Sequence, residues 1–263
     1  MNHYDNTLFK GTAWYYARYR RPYPAAVFEL LVDKFNLDGT GRMLDLGAGT
    51  GRVALPLSKY FEEVVAVEPD AEMIREGKQQ AEEAAITNIT WVPKTAEEFT
   101  DRPESFRLVT FGAALHWMDK DAVLMKAHEL LASGGGLAVV ESGKSLWRSE
   151  GRWHKEVLKV VKKYLGEERR AGKGIFPKDE RRYEDVIAAA GFSNIETHKL
   201  QEQTEWTIDD TIGSLYSTSF ASKELLGEKA PAFERELREV LLKLNSEGTF
   251  SEQRTVRVIL AWK

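Results

Sequence analysis

Residues 44–52 read LDLGAGTGR, an apolar strand pattern that turns through alternating glycines into an amphipathic segment. Glycine lets a ligand approach the backbone without meeting a Cβ atom, and a following helix presents free N–H groups. The segment therefore predicts a polar ligand at this turn. Gly47, Gly49 and Gly51 alternate strictly, whereas a dinucleotide fingerprint needs Gly-x-Gly-x-x-Gly, so a pyrophosphate cradle is disfavoured. Asp45 suits a cationic ammonium better than a diphosphate.

The first half of the chain alternates short apolar runs with longer amphipathic runs, which is typical of βαβ units and a parallel sheet. Helices are predicted between the strands at 52–61, 71–85 and 121–131, the last ending at the glycines of residues 133–136. Five parallel strands are predicted at 42–46, 64–67, 89–92, 108–111 and 137–140.

The second half of the chain is less regular. It predicts helices at 153–165, 179–190 and 232–244, and two long strands at 195–206 and 252–262. Together with the five earlier strands, these suggest an α/β fold with a seven-stranded, mostly parallel sheet whose last strand inserts antiparallel. Periodicity alone does not fix the strand order.

Length and composition bound the domain organisation. A chain of 263 residues is ordinary for one α/β domain that carries an insertion or a lid. We expect a single domain over 1–263, with an N-terminal segment at 1–38, a core of the five parallel strands at 39–142 and a C-terminal half at 143–263 that carries helical insertions.

Charge and cysteine content exclude several classes of partner. The formal net charge of -4 gives no overall attraction to nucleic acid or to anionic lipid, so a small-molecule substrate is favoured. The absence of cysteine removes disulfides, thiolate nucleophiles and cysteine metal sites. A polar N-terminus and the lack of a stretch of about 20 apolar residues predict a cytoplasmic location. The oligomeric state is not indicated.

Glu68 stands directly at the end of the second predicted strand. An acid at this position can accept hydrogen bonds from both hydroxyls of a ribose. NAD enzymes share the feature, and an isolated acid at a strand end is more often a solvated loop residue. Its distance from the glycine turn favours the ribose role.

Several segments in order resemble the class I S-adenosylmethionine-dependent methyltransferases, and YYARYRRPYP at 15–24 is similar to the segment before the core in the trans-aconitate methyltransferase-like, small-molecule branch. The other segments are LDLGAGTG at 44–51, VEPD at 67–70, TAE at 95–97, FRLVTFGAALHW at 106–117 and LLASGGGLAVV at 130–140. The resemblance covers essentially the whole chain. It implies a Rossmann-like fold with helices on both faces and helical caps from both ends of the chain. It also implies methyl transfer from S-adenosylmethionine, leaving S-adenosylhomocysteine.

The resemblance assigns cofactor contacts by position. Tyr16, Tyr19 and Arg21 would cap the cofactor, although the same segment could be a solvated surface strip. Asp45 would stand beside the glycine loop. The remaining contacts would be Gly47, Ala48 and Gly49 along the methionyl part, Glu68 and Pro69 at the ribose, Met73, Thr95, Ala96 and Glu97 around the adenine, and Ala113 and Ala114 near the sulfonium.

The chemistry of methyl transfer asks little of side chains, because the acceptor must chiefly be held in line with the methyl group. His116 is the candidate general base, which helps only if the acceptor carries a proton of high pKa. Its alternative role is a packed histidine beside Trp117. No metal is implied. We expect some of six aromatic residues to border the acceptor pocket: Trp117, Trp147, Trp153, Tyr183, Trp206 and Tyr216.

Three alternative functions stay open. An NAD-dependent oxidoreductase shares the strand, glycine and acid layout, but the glycine spacing and the 108–117 segment disfavour it. A nucleic-acid methyltransferase is encouraged by the basic stretch 162–182. It is disfavoured because 112–115 reads GAAL, not Asp/Asn-Pro-Pro-Tyr, and because no cysteine is present. A non-catalytic cofactor-binding module is the third. The sequence leaves open which acceptor is used and whether oxygen, nitrogen, carbon or a carboxylate is methylated.

Overall fold

The computed structural model describes residues 7–143, 145–176 and 181–263. Seven strands form the main sheet, and two strands of two residues each form a separate hairpin. In chain order the strands are β1 (Arg42–Leu46), β2 (Glu63–Val67), β3 (Ile89–Val92), β4 (Phe106–Gly112), β5 (Leu131–Ser142), β6 (Arg170–Ala171), β7 (Gly174–Ile175), β8 (Ser193–Thr207) and β9 (Thr249–Trp262).

The main sheet has the strand order β3-β2-β1-β4-β5-β9-β8. Strands β1 to β5 pair in parallel, with Leu44 of β1 between Val65 of β2 and Val109 of β4. Strand β9 is antiparallel to both β5 and β8, so the last strand inserts between them. The predicted seven-stranded, mostly parallel sheet with an antiparallel last strand is confirmed, and the order that periodicity left open is now determined.

Helices flank the sheet and extend beyond it. They are α1 (Ala13–Tyr19), α2 (Ala25–Lys34), α3 (Ala54–Leu57), α4 (Ala71–Glu83), α5 (Lys120–Leu130), α6 (Arg152–Leu165), α7 (Tyr183–Ala189), α8 (Ile208–Tyr216), α9 (Lys223–Leu226) and α10 (Ala230–Leu244). Within the described ranges, none of them is both long enough and apolar enough to cross a lipid bilayer.

Helices cover both faces of the sheet because successive side chains of a strand point to opposite sides. Leu44 of β1 belongs to a buried cluster with Val123 of α5 and Ile187 of α7. Its neighbour Met43 belongs to a second cluster, with Leu31 of α2. The predicted helices on both faces are therefore confirmed.

A third buried cluster joins α6, α8 and α10 in the C-terminal half. Helix α1 packs against this cluster, where the ring centroids of Tyr15 and Tyr216 are 5.2 Å apart. On its other side α1 is linked to α4 by an ion pair of 2.9 Å between Arg18 and Glu76. The predicted helical additions from the N-terminal and C-terminal parts of the chain are thus present, and the structure shows that they pack against each other.

Helix α3 is shorter than the helix predicted at 52–61. It spans Ala54–Leu57 and continues as a 3-10 turn at Ser58–Tyr60. The amides of Leu55 and Leu57 bond helically to the carbonyls of Gly51 and Val53. Pro56 stands between them and has no N–H to donate, which interrupts the helical ladder.

Strand β5 begins six residues before the strand predicted at 137–140. Helix α5 ends at Leu130, and Leu131 already has extended dihedral angles. Leu131 pairs with Phe106, but Gly136 pairs with Leu108, so the intervening residues form a bulge in which Gly134 has a φ of 74°. The glycines therefore accommodate a bulge and do not end the helix. Helix α7 begins at Tyr183, and residues 179–180 of its predicted start lie outside the described residues.

Candidate active site

A cavity lies where the carboxyl ends of β1, β2 and β4 meet, which is where ligands bind in open parallel α/β sheets. It is an open cleft, and its empty space, including the solvent at its mouth, is about 730 Å³. Its walls are Phe9, Tyr16, Gly47, Gly49, Glu68, Pro69, Met73, Thr95, Ala96, Glu97, Gly112, Ala113, Ala114, Trp117 and Met118.

The glycine turn forms the floor of this cavity with its backbone. The amides of Gly47 and Ala48 both donate to the carbonyl of Val67, at 2.9 and 3.0 Å, which ties the end of β1 to the end of β2. Gly47 has a φ of 70°, and a Cβ atom there would lie 2.6 Å from the Cβ of Ala114. The turn therefore excludes side chains and leaves its backbone open to a ligand.

Glu68 is held rigidly in the cavity wall. Its Oε2 accepts a hydrogen bond of 2.8 Å from the amide of Gly49, and its Oε1 accepts one of 3.0 Å from the amide of Asp70. Only 8% of the residue is exposed, and this burial raises the pKa of Glu68 to about 7. Each carboxylate oxygen keeps acceptor capacity, which suits the group to a pair of vicinal hydroxyls.

An apolar slot with polar edges lies next to Glu68. Met73 is in the first turn of α4, where the side chain of Asp70 accepts hydrogen bonds from the amides of Glu72 and Met73. Ala96 is buried and also lines the cavity, and the Oε1 of Glu97 accepts a 3.0 Å hydrogen bond from the amide of Asp119. The slot could hold a flat heterocycle.

The end of β4 forms the remaining wall. Ala113 has a φ of 55°, a left-handed conformation that costs a non-glycine residue about 1–2 kcal/mol. Its amide donates to the carbonyl of Val140 at 2.8 Å, which holds the strained loop in place. Ala114, Trp117 and Met118 follow along the same wall. Strain of this kind concentrates at functional sites.

Two of the predicted cofactor contacts, Asp45 beside the glycine loop and Ala48 along the methionyl part, face away from the cavity. Asp45 is 1% exposed and accepts a 2.7 Å hydrogen bond from the Oγ1 of Thr110, and burial raises its pKa to about 6. Ala48 belongs to the buried cluster on the α2 side of the sheet. Neither lines the cavity, because the turn directs only Gly47 and Gly49 toward it.

The predicted cap residues divide between two neighbours. Tyr16 lines the cavity and lies over Gly49, where an added Cβ would be 3.8 Å from its ring. Tyr19 instead covers Gly213 of α8. Arg21 points to the C-terminal half, with a 3.2 Å ion pair to Asp210. Residues three apart on α1 thus face different partners.

Trp117 is the one predicted acceptor-pocket residue among the cavity walls. Tyr183 lies in the sheet core with α5 and α7 side chains. Four others belong to the C-terminal core or pack against it, where their rings contact one another or neighbouring rings: Trp147, Trp153, Trp206 and Tyr216.

His116 lies next to the cavity wall, in the 3-10 turn Leu115–Trp117. Its ring centroid is 4.8 Å from that of Trp117 and 5.9 Å from that of Phe176. Burial lowers the pKa of His116 to about 3, and the positive charges of Arg169, Lys120 and Arg20 act in the same direction. The imidazole is therefore neutral at physiological pH.

Phe9, Gly112 and Met118 line the cavity without having been predicted. Gly112 belongs to the 106–117 segment and Met118 directly follows it. Both could have been predicted by assigning all residues from 112 to 118 to the cavity wall. Phe9 precedes α1 in a turn region that carries no periodic pattern. Its ring contacts Trp117 edge-on at 5.6 Å.

Comparison with known proteins relates this site to a family. Residues 43–135 match the family described as a methyltransferase domain. The probable S-adenosylmethionine-dependent methyltransferase CRG1 of Saccharomyces cerevisiae is 26% identical over 137 residues, which are 51% of this chain and 46% of that protein. The uncharacterized methyltransferase YcgJ of Bacillus subtilis is 31% identical over 101 residues, 38% of this chain and 40% of that one. The matches span less than half the length of both relatives.

Solved structures agree with the fold. The crystal structure of YcgJ covers 91% of this chain and 99% of its own, with a TM-score of 0.60 and 16% identity. Phosphoethanolamine N-methyltransferase 2 of Haemonchus contortus, in complex with S-adenosyl-L-methionine, covers 100% of this chain and 58% of its own, with a TM-score of 0.56 and 16% identity. The segment that forms most of the cavity, residues 43–135, is therefore similar to methyltransferase domains, and the fold is shared with the solved structures of methyltransferases.

Proposed function

We propose that the protein transfers a methyl group from S-adenosylmethionine to a small-molecule acceptor. The cavity carries this proposal, because it combines a glycine floor, the fixed carboxylate of Glu68 and the aromatic wall of Trp117 in one space of about 730 Å³. The net charge of -4 also favours a small acceptor over a nucleic acid.

The residues present fit the cofactor group by group. When bound, S-adenosylmethionine supplies a methyl group activated by a positively charged sulfur. In the proposal, Gly47 and Gly49 face its amino-acid part, Glu68 accepts hydrogen bonds from its ribose, and Met73 and Ala96 hold its adenine. The end of β4 then separates the reacting group from water and positions the acceptor.

S-adenosylhomocysteine is expected to raise the melting temperature of the protein. A ligand at about 100 times its dissociation constant adds about 2.7 kcal/mol to stability, or about 5–10 °C for a domain of this size. Differential scanning fluorimetry measures the shift, with NAD as the matched control. An equal shift with NAD would favour the oxidoreductase alternative, and no shift with S-adenosylhomocysteine would contradict the proposal.

Catalysis, as distinct from binding, needs its own measurement. Radiolabelled S-adenosylmethionine incubated with the protein and a panel of small acids, amines and alcohols should yield a labelled product in at least one class. If tight cofactor binding occurs without transfer to any class, the non-catalytic binding module becomes the better description.

We also propose that His116 packs and positions the loop, and that it does not take a proton from the acceptor. A base whose conjugate acid has a pKa near 3 accepts a proton poorly at neutral pH. The imidazole signal of His116 in an NMR titration is therefore expected to stay constant between about pH 5 and 8. His116→Asn identifies the signal by its disappearance. A signal that titrates near pH 6.5 would restore the general-base role.

A further inference from the structure

Two arginines lie close to the aromatic wall of the cavity. The Cζ atom of Arg169 is 3.8 Å from the centre of the Phe176 ring, and Phe176 contacts Trp117 edge-on at 5.3 Å. The Cζ atom of Arg20 is 5.2 Å from the centre of the Tyr16 ring. Trp117 and Tyr16 both line the cavity, and the charge of Arg20 acts on Arg169 and on His116, so the two guanidinium groups lie near each other behind the cavity wall.

Neither guanidinium has a carboxylate partner in the described part of the chain. The Nε atoms of Arg20 and Arg169 are buried and form no hydrogen bond. Arg20 donates one bond of 3.3 Å from Nη2 to the carbonyl of Ser217. Several other arginines of the described residues are paired, as Arg18 is with Glu76 at 2.9 Å. A guanidinium that is partly buried without a counter-charge is costly, so an external anion beside these two groups would be stabilising.

The local electrostatics agree with the geometry. Burial lowers the pKa of Arg169, and the positive charges of Arg20 and Arg148 lower it further. Among the described residues, the charges that shift the pKa of His116 are all positive. Positive charge is therefore concentrated beside Trp117, and an anion placed there would relieve the mutual repulsion.

We propose that Arg20 and Arg169 form a subsite for an anionic group of the methyl acceptor, either a carboxylate or a phosphate. A guanidinium presents a planar set of donors that matches both groups in a bidentate manner. The subsite rests on the proposed function, because it assigns the space beside the cofactor to the acceptor. Neutral His116 then takes no part in the charge pairing.

Isothermal titration calorimetry on protein saturated with S-adenosylhomocysteine tests the subsite. The probes are glutarate, inorganic phosphate and dimethyl glutarate, the uncharged match of the first, all at one ionic strength. We expect an anion to bind and the diester not to bind. Glutarate and phosphate are titrated separately, and the anion that binds more tightly identifies the anionic group as a carboxylate or a phosphate.

Arg169→Gln is expected to weaken anion binding about tenfold, and Arg169→Lys to weaken it less because the charge remains. Both variants should bind S-adenosylhomocysteine like the wild type, which separates the subsite from the cofactor. Arg20→Gln should act like Arg169→Gln, but Arg20 also bonds to Ser217 and the variant could lose stability. Arg75→Gln on the exposed side of α4 is the control and should change nothing.

Three results would overturn the subsite: equal binding of the diester, unchanged anion affinity in Arg169→Gln, or no binding of either anion to the saturated protein. The first titration, with S-adenosylhomocysteine alone, is independent of the arginines. Its failure would count against the proposed function and not against the subsite.

Discussion

Glu68→Ala is expected to weaken the binding of S-adenosylhomocysteine by about 1.5–3 kcal/mol, or about 10- to 150-fold. The variant removes a carboxylate that two backbone amides hold at the cavity wall, and with it the acceptor for the ribose hydroxyls. Calorimetric titration measures the change. Glu82→Gln, an exposed acid in α4, is the matched control and should bind like the wild type.

The same carboxylate should make binding depend on pH. Because burial raises the pKa of Glu68 to about 7 from an ordinary 4.5, the folded protein holds a proton that the unfolded chain releases between those values. Stability of the unliganded protein should therefore fall as pH rises through that window. Ribose hydroxyls favour the ionised form, so affinity should rise from about pH 6 to pH 8.

Glu68→Gln provides the contrast, because its amide has no charge to titrate and its affinity should stay flat over the same range. If Glu68→Ala folds and binds S-adenosylhomocysteine like the wild type, Glu68 is not part of the site. If the wild type shows no pH dependence, the carboxyl is already ionised before the ligand arrives.

Gly47→Ala is expected to lower the free energy of unfolding by about 2–5 kcal/mol. The left-handed backbone, with a φ of 70°, costs alanine about 1–2 kcal/mol. The new Cβ would lie 2.6 Å from the Cβ of Ala114 and 2.8 Å from the Cε of Met118, and relief of such overpacking costs about 1–3 kcal/mol. Ala114 and Met118 both line the cavity, so affinity for S-adenosylhomocysteine should fall as well.

Gly134→Ala separates the cost of the left-handed backbone from the cost of overpacking. Gly134 has a φ of 74°, but nothing lies within 4 Å of an added Cβ. This control should lose only the backbone contribution of about 1–2 kcal/mol and keep the affinity of the wild type. Urea denaturation compares the two variants. If Gly47→Ala is as mild as Gly134→Ala, the contact with Ala114 is relieved without cost.

The sheet was predictable from the sequence because each buried strand is a short apolar run between turn signals. Strands β1 and β3 begin and end at the predicted residues. Strands β6 and β7 were missed because two residues carry no periodicity. The short helix α3 could have been anticipated from Pro56, whereas the bulge of β5 depends on its register with β4 and has no local signal.

The site was predictable only at the level of segments. Motif segments after β1, β2 and β4 reach the cavity because the carboxyl ends of parallel strands lie at one edge of the sheet. Which side chain of a segment turns inward depends on tertiary geometry. Ala48 faces the core between Gly47 and Gly49, and Tyr19 faces α8 while Tyr16 faces the cavity.

The position of β9 has a consequence for biosynthesis. Residues 249–262 occupy an interior place in the sheet, between β5 and β8, although they are synthesised after the other strands of this sheet. Until they leave the ribosome, β5 and β8 each lack a hydrogen-bonded neighbour, and exposed strand edges promote association between chains. We expect the sheet of the nascent chain to stay incomplete until β9 emerges from the ribosome. Translation that stops shortly before residue 249 would therefore release a chain that is prone to aggregate.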